Sequence, residues 1–158
     1  WLLAGAALCG GRAYALLADF FAQTARMMGM DTNAPYAAME GLLKSADRPE
    51  DVPTVLPLFE GTRQDSTQTG SITGLTAENF TPLHLIYGMM DGMARELHQM
   101  YQAYRAAGGT AKKLIGSGGG LRNNRFLCES FSRAFDSAIT LSDGREEAAC
   151  GAALYAAD

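Results

Sequence analysis

Ser117-Gly118-Gly119-Gly120-Leu121-Arg122-Asn123-Asn124 is the stretch on which the reading of this chain turns. It follows the apolar pair Leu114-Ile115 and precedes an amphipathic segment containing Phe126, Leu127 and Phe131. A strand that runs into glycines and then into a helix is a common way to build a nucleotide site. Absent side chains let a ligand lie against the main chain, and a helix N-terminus adds free N–H donors. The plainer reading is a tight strand-to-helix turn with asparagine caps. The two are compatible, because Asn123 and Asn124 can cap a helix and also offer amides to a purine or ribose.

The segments around this stretch alternate. Lys113–Gly116 predicts a strand, Asn123 or Asn124 begins a helix, and Ala138–Leu141 predicts another strand. Asp143 with Glu146 resembles a capping box before a last helix, whose Ala149, Ala152, Ala153 and Ala156 permit close packing. Such alternation implies an α/β domain with helices on the sheet faces and ligands at the carboxyl ends of strands.

Upstream, residues 1–8 read as a buried strand, and a chain opening in mid-strand suggests a piece of a longer protein. Gly10 and Gly11 open a helix to about Met28, with Leu16, Leu17, Phe20, Phe21 and Ala25 for an inner face. A second helix covers 34–46, followed by a polar loop to Pro53. Residues 55–59 predict a strand whose Pro57 favours an edge. A turn-like stretch from Glu60 to Thr69 leads to a short strand over 71–75. Thr81 and Pro82 start the longest helix, carrying Leu83, Tyr87, Met90, Ala94, Leu97, Tyr101 and Tyr104 at helical spacing and ending at Gly108-Gly109.

With 158 residues, 47% hydrophobic, the chain can bury one real core, and one domain is the natural count. A net charge of -4 argues against a nucleic-acid surface. No apolar run is long enough to span a bilayer. Cys9, Cys128 and Cys150 lie singly, which fits reduced thiols and a cytoplasmic setting.

Two patterns carry a resemblance. Gly118-Gly119-Gly120-Leu121-Arg122-Asn123 is followed by a helix, a short strand and then Glu147-Ala148-Ala149-Cys150-Gly151-Ala152-Ala153. Upstream, Gly70, Ile72, Gly74, Leu75, His84, Leu85, Met89, Met90 and Asp91 match a second signature, with Gly88 standing where Ala or Ser is usual. In these patterns the whole chain resembles the C-terminal half of the FGGY carbohydrate kinases. It is most similar to their sedoheptulokinase-like branch, through Phe59-Glu60-Gly61-Thr62-Arg63, Glu96-Leu97-His98-Gln99-Met100 and Gly116-Ser117-Gly118.

The resemblance implies an actin-like, ribonuclease-H-like lobe over residues 1–158, the C-terminal half of a two-lobed sugar kinase truncated at its N-terminus. It implies ATP, with Mg²⁺ bound through the nucleotide, and a sugar held between the lobes. The adenosine site would fall on Gly118, Gly119, Gly120 and Asn123, with Asn124 nearby. Gly11 would lie beside the phosphates. The general-base aspartate and most sugar contacts would lie upstream of Trp1, so no catalytic residue and no metal ligand is assigned here. The implied reaction phosphorylates the terminal primary hydroxyl of a ketose, sedoheptulose before xylulose or another pentulose. The isolated lobe would be inactive, its partner being the N-terminal lobe, and a homodimer is compatible with the reading. A lobe that binds nucleotide without chemistry, or serves only in assembly, is the alternative of another class.

The other polar residues carry no chemistry on sequence grounds. His84 and His98 are lone helical histidines, Asp65 and Asp91 form no acid/base pair, and Arg122 is free to reach a phosphate or solvent. Met27, Met28, Met30, Met89, Met90, Met93 and Met100 read as core filler.

Overall fold

The computed structural model describes residues 7–30, 33–144 and 147–157. Most of the predicted first strand, and Glu146 of the predicted capping box, lie outside them. The chain divides into two compact units, Trp1–Gly109 and Thr110–Asp158.

The first unit holds α1 (Gly10–Met27), α2 (Pro35–Ser45), β1 (Thr54–Leu56), β2 (Ser71–Thr73) and α3 (Pro82–Ala106). The helix boundaries follow local chemistry. Proline is the first residue of both α2 and α3, where its missing N–H costs nothing. The Thr81 hydroxyl accepts from the His84 amide and caps α3. Gly108, at φ +87, turns the chain out of α3, and the Gly109 amide returns to the Tyr104 carbonyl at 3.0 Å.

β1 and β2 pair antiparallel with Val55 opposite Ile72. Both strands are shorter than predicted. Pro57 ends β1, because it has no amide to give a ladder. The core gathers Leu43, Ile86 and Met90 around Ala13, Met39 and Val55.

α3 crosses β1 at two glycines. A methyl group on Gly92 would sit 2.5 Å from the Val55 carbonyl oxygen, and one on Gly88 would sit 2.8 Å from that of Pro53. The departure from the usual Ala or Ser at position 88 is thus matched by closer main-chain packing.

Two expectations fail in this unit. The inner face of α1 is Ala13, Leu17, Ala18 and Ala22, while Phe20 is 54% exposed and Leu16 also faces solvent. Small side chains, not the largest ones, let α1 approach α3. Met27, Met28 and Met30 are exposed and fill no core, because the helix ends there in a turn at Gly29. Met89, Met90 and Met93 are buried as predicted.

The second unit holds β3 (Leu114–Gly116), α4 (Gly119–Asn123), α5 (Arg125–Ala134), β4 (Ile139–Leu141) and α6 (Glu147–Ala157). β3 and β4 pair in parallel, Ile115 opposite Thr140, so the chain crosses over through α4 and α5. Phe126, Leu127 and Phe131 form the buried face of α5. The short α4 was not predicted. The close packing predicted for α6 is not realised, since every side chain from Ala149 to Ala156 is exposed. A helix of mostly methyl-sized side chains has little apolar area with which to hold a neighbour.

Candidate functional site

The glycine loop leaves the C-terminal end of β3. Gly116 is a packing glycine, since a methyl group there would meet Ile139 at 2.8 Å and Leu121 at 2.9 Å. Gly118 is different. It sits at φ +96, ψ 157, a region closed to other residues, with nothing within 4 Å of where a side chain would start. Gly119 and Gly120 have only ordinary neighbours, Asn123 at 3.9 Å and Leu127 at 3.7 Å. Residues 117–120 are exposed. The protein itself therefore leaves the space beside Gly118 unfilled and crowds neither of the two glycines that follow.

The loop closes into α4 through the Arg122 amide, which donates to the Gly118 carbonyl at 3.2 Å. α4 is only five residues long, so it supplies none of the helix dipole expected from the sequence. The two asparagines divide their work. Asn124 Oδ1 accepts from the Leu127 amide at 3.1 Å and caps α5. Asn123 ends α4 and is exposed. Arg122 Nη2 donates to Ser142 Oγ at 2.9 Å, and the Ser142 amide returns to the Gly116 carbonyl at 2.9 Å. Arg122 thus ties the loop to the end of β4 instead of standing in solvent.

Gly118, Gly119, Gly120, Asn123 and Asn124 are brought together in this one turn. Gly11 belongs to the first unit, in the opening turn of α1. Cys9 precedes that helix without a side-chain cap, Gly10 takes φ +31, and the first turn carries no acidic residue. Nothing lies within 4 Å of a side-chain position on Gly10 or Gly11. Arg12, next in line, pairs with Glu60 at 2.5 Å. The Cys9 thiol is buried, and that burial, with the nearby Glu60 carboxylate, holds its pKa above the usual thiol value.

A polar network in the first unit escaped the sequence reading. Arg48 makes a two-pronged pair with Asp91 and lies 4.8 Å over the Tyr87 ring. His84 Nε2 meets Asp51 Oδ1 at 3.1 Å, and its Nδ1 meets Thr81 Oγ1 at 2.7 Å. Asn79, 3% exposed, donates to the carbonyls of Asp51 and Gly74 and accepts from the Thr76 amide. His84 and Asp91, the two polar residues of the upstream signature, therefore both clamp the 46–53 loop. Their i, i+7 spacing, which puts them on one helix face, was the available signal; their partners lay in a segment with no pattern. Glu96, further along α3, has a buried Oε2 with no hydrogen-bond partner among the described residues, and desolvation raises its pKa.

Residues 1–157 match the C-terminal domain of the FGGY family of carbohydrate kinases, and the chain belongs to that family. Its fold is accordingly the actin-like, ribonuclease-H-like one. Among curated relatives, sedoheptulokinase from Homo sapiens is 24% identical over 155 residues, covering 98% of this chain and 32% of the relative. Sedoheptulokinase from Mus musculus is 23% identical over 154 residues, with the same coverage. The chain thus spans about a third of the length of these relatives. Among solved structures, xylulose kinase from Rhodospirillum rubrum superposes with a TM-score of 0.68 at 23% identity, covering 83% of this chain and 25% of that one. Plasmodium falciparum glycerol kinase with ADP superposes with a TM-score of 0.60 at 19% identity, covering 87% and 27%.

Proposed function

We propose that this chain is the single ATP-side lobe of a two-lobed ketose kinase. The carrying observation is the β3–α4 loop, where Gly118 takes a glycine-only conformation with nothing beside it, and Gly119 and Gly120 are exposed with only ordinary neighbours. Backbone exposed in this way takes a flat nucleoside without steric cost. On this reading the loop and the Asn123 amide hold adenosine, with Asn124 fixing the loop from behind. Gly11 admits the phosphates to the uncapped start of α1, and Mg²⁺ comes with them. The lobe orients ATP, and the other lobe supplies the base that takes the sugar's hydroxyl proton. Catalysis is then mainly positioning and charge stabilisation.

The substrate we infer is a ketose phosphorylated at its terminal primary hydroxyl. Sedoheptulose is favoured by the curated relatives and xylulose by the structural ones. Free thiols at Cys9, Cys128 and Cys150 suit a cytoplasmic compartment. Calorimetry of the chain with ATP tests the site. Binding that is lost in Gly119→Val and Asn123→Ala supports it, whereas equal behaviour of variants and wild type overturns it. Assay of the two-lobed kinase against a ketose panel tests the reaction, and no phosphorylated sugar from any ketose overturns it.

A further inference from the structure

On the adenosine reading above, on which this rests, we infer that Arg122 and Ser142 are the positioning residues of the glycine loop. Neither touches the nucleotide; together they hold residues 117–121 ready for it. Such a loop is costly to order, because glycine has more backbone freedom to lose than any other residue and Gly118, Gly119 and Gly120 are consecutive. A loop that stayed loose until the ligand arrived would subtract that ordering cost from the affinity.

Hydrogen bonds instead close the loop into a ring. The Ser142 amide, just past β4, donates to the Gly116 carbonyl at 2.9 Å. The Ser142 hydroxyl accepts from Arg122 Nη2 at 2.9 Å, and its own hydrogen is left for the Gly144 carbonyl, 3.5 Å away. The Arg122 amide completes the ring by donating to the Gly118 carbonyl at 3.2 Å. Two further contacts hold the far end. The Leu121 side chain lies against Gly116, 2.9 Å from where a methyl group would start, and Cys128 Sγ donates to the Leu121 carbonyl at 3.1 Å. None of these contacts covers residues 117–120, which are exposed. The Arg122–Ser142 bond is the link in the ring made by side chains alone. Its donor is charged and half-buried, so it is stronger than a neutral hydrogen bond and its loss loosens the ring most.

The test is calorimetry of the chain with adenosine and with ATP. Arg122→Met and Ser142→Ala should each bind both ligands about tenfold more weakly, by the same factor, because the loop and not the phosphates has lost its hold. Ser142→Thr restores the hydroxyl and should recover most of the affinity lost in Ser142→Ala. The double variant should bind no more weakly than Arg122→Met alone, since one tie is broken once. Circular dichroism identifies any variant that fails to fold, and the contrast of Ser142→Ala with Ser142→Thr decides the matter if Arg122→Met is among them. Wild-type affinity for adenosine in folded Arg122→Met and Ser142→Ala proteins overturns the inference and leaves the site standing. So does a loss in Arg122→Met confined to ATP, which would put the guanidinium on a phosphate, and so do additive losses in the double variant. Gly119→Val separates the site from its positioning. If the wild type binds neither ligand, or Gly119→Val binds both equally well, the adenosine site itself falls and the inference falls with it.

Discussion

The α3–β1 seam and the β3–α4 loop are both rich in glycine, for opposite reasons. At the seam, Gly88 and Gly92 are crowded by the Pro53 and Val55 carbonyls, so a side chain has no room. At the loop, Gly118 faces open space and Gly119 has only an ordinary neighbour, and Gly118 is required only by its backbone angle. A packing glycine closes the protein on itself. An open glycine keeps a surface bare. Substitution separates the two, because one should cost stability and the other ligand binding.

The largest effect is expected at the seam. Gly92→Ala places a methyl group against backbone that cannot rotate away, and should cost about 3 kcal/mol in denaturant unfolding. Gly88→Ala should cost less, since its nearest atom is slightly further off. A Gly92→Ala protein of wild-type stability would break the distinction. Next comes the clamp beside the seam. Asp91→Asn leaves the Arg48 guanidinium half-paired in a part-buried place and should cost about 2 kcal/mol. A double-mutant cycle with Arg48→Met measures the coupling directly, and additive losses would show that the pair holds nothing.

The loop should invert this pattern. Gly119 lies in a helical turn, with its nearest neighbour 3.9 Å from a new methyl group. Gly119→Ala should therefore be neutral or stabilising by up to about 1 kcal/mol, because glycine is a poor helix former. Any loss should appear only in calorimetry with ATP. Gly118→Ala is the mixed case, with a strain cost of about 1–3 kcal/mol from its backbone conformation.

The same contrast explains what was legible in the sequence. The helix start at Pro82, its stop at Gly108, and the strands β3 and β4 were readable because each depends on residues close in the chain. The glycine loop was readable as a motif, but not as glycines divided between packing and open space. Gly116 and Gly118 differ only in what surrounds them. The Arg48–Asp91 and Asp51–His84 links join segments 43 and 33 residues apart, which no local spacing reveals. The inner face of α1 was misread because closeness to α3, not side-chain size, decides which residues turn inward.

The smallest effect tests an exception inside the closed first unit. Glu96 Oε2 is buried without a partner among the described residues, and desolvation raises the pKa of its carboxyl above the ordinary glutamate value. The sign follows from linkage. Below the ordinary value of 4.5 the group is protonated in both states and costs nothing. As pH rises, the unfolded chain ionises first, so stability falls until the folded carboxyl ionises too, and the deficit then persists. Glu96→Gln keeps the shape and removes the charge. It should melt higher than wild type at pH 8, and the advantage should shrink as pH falls toward 4. A variant with no gain at pH 8, or with a gain independent of pH, would mean that the carboxylate has a partner and that the first unit has no such exception.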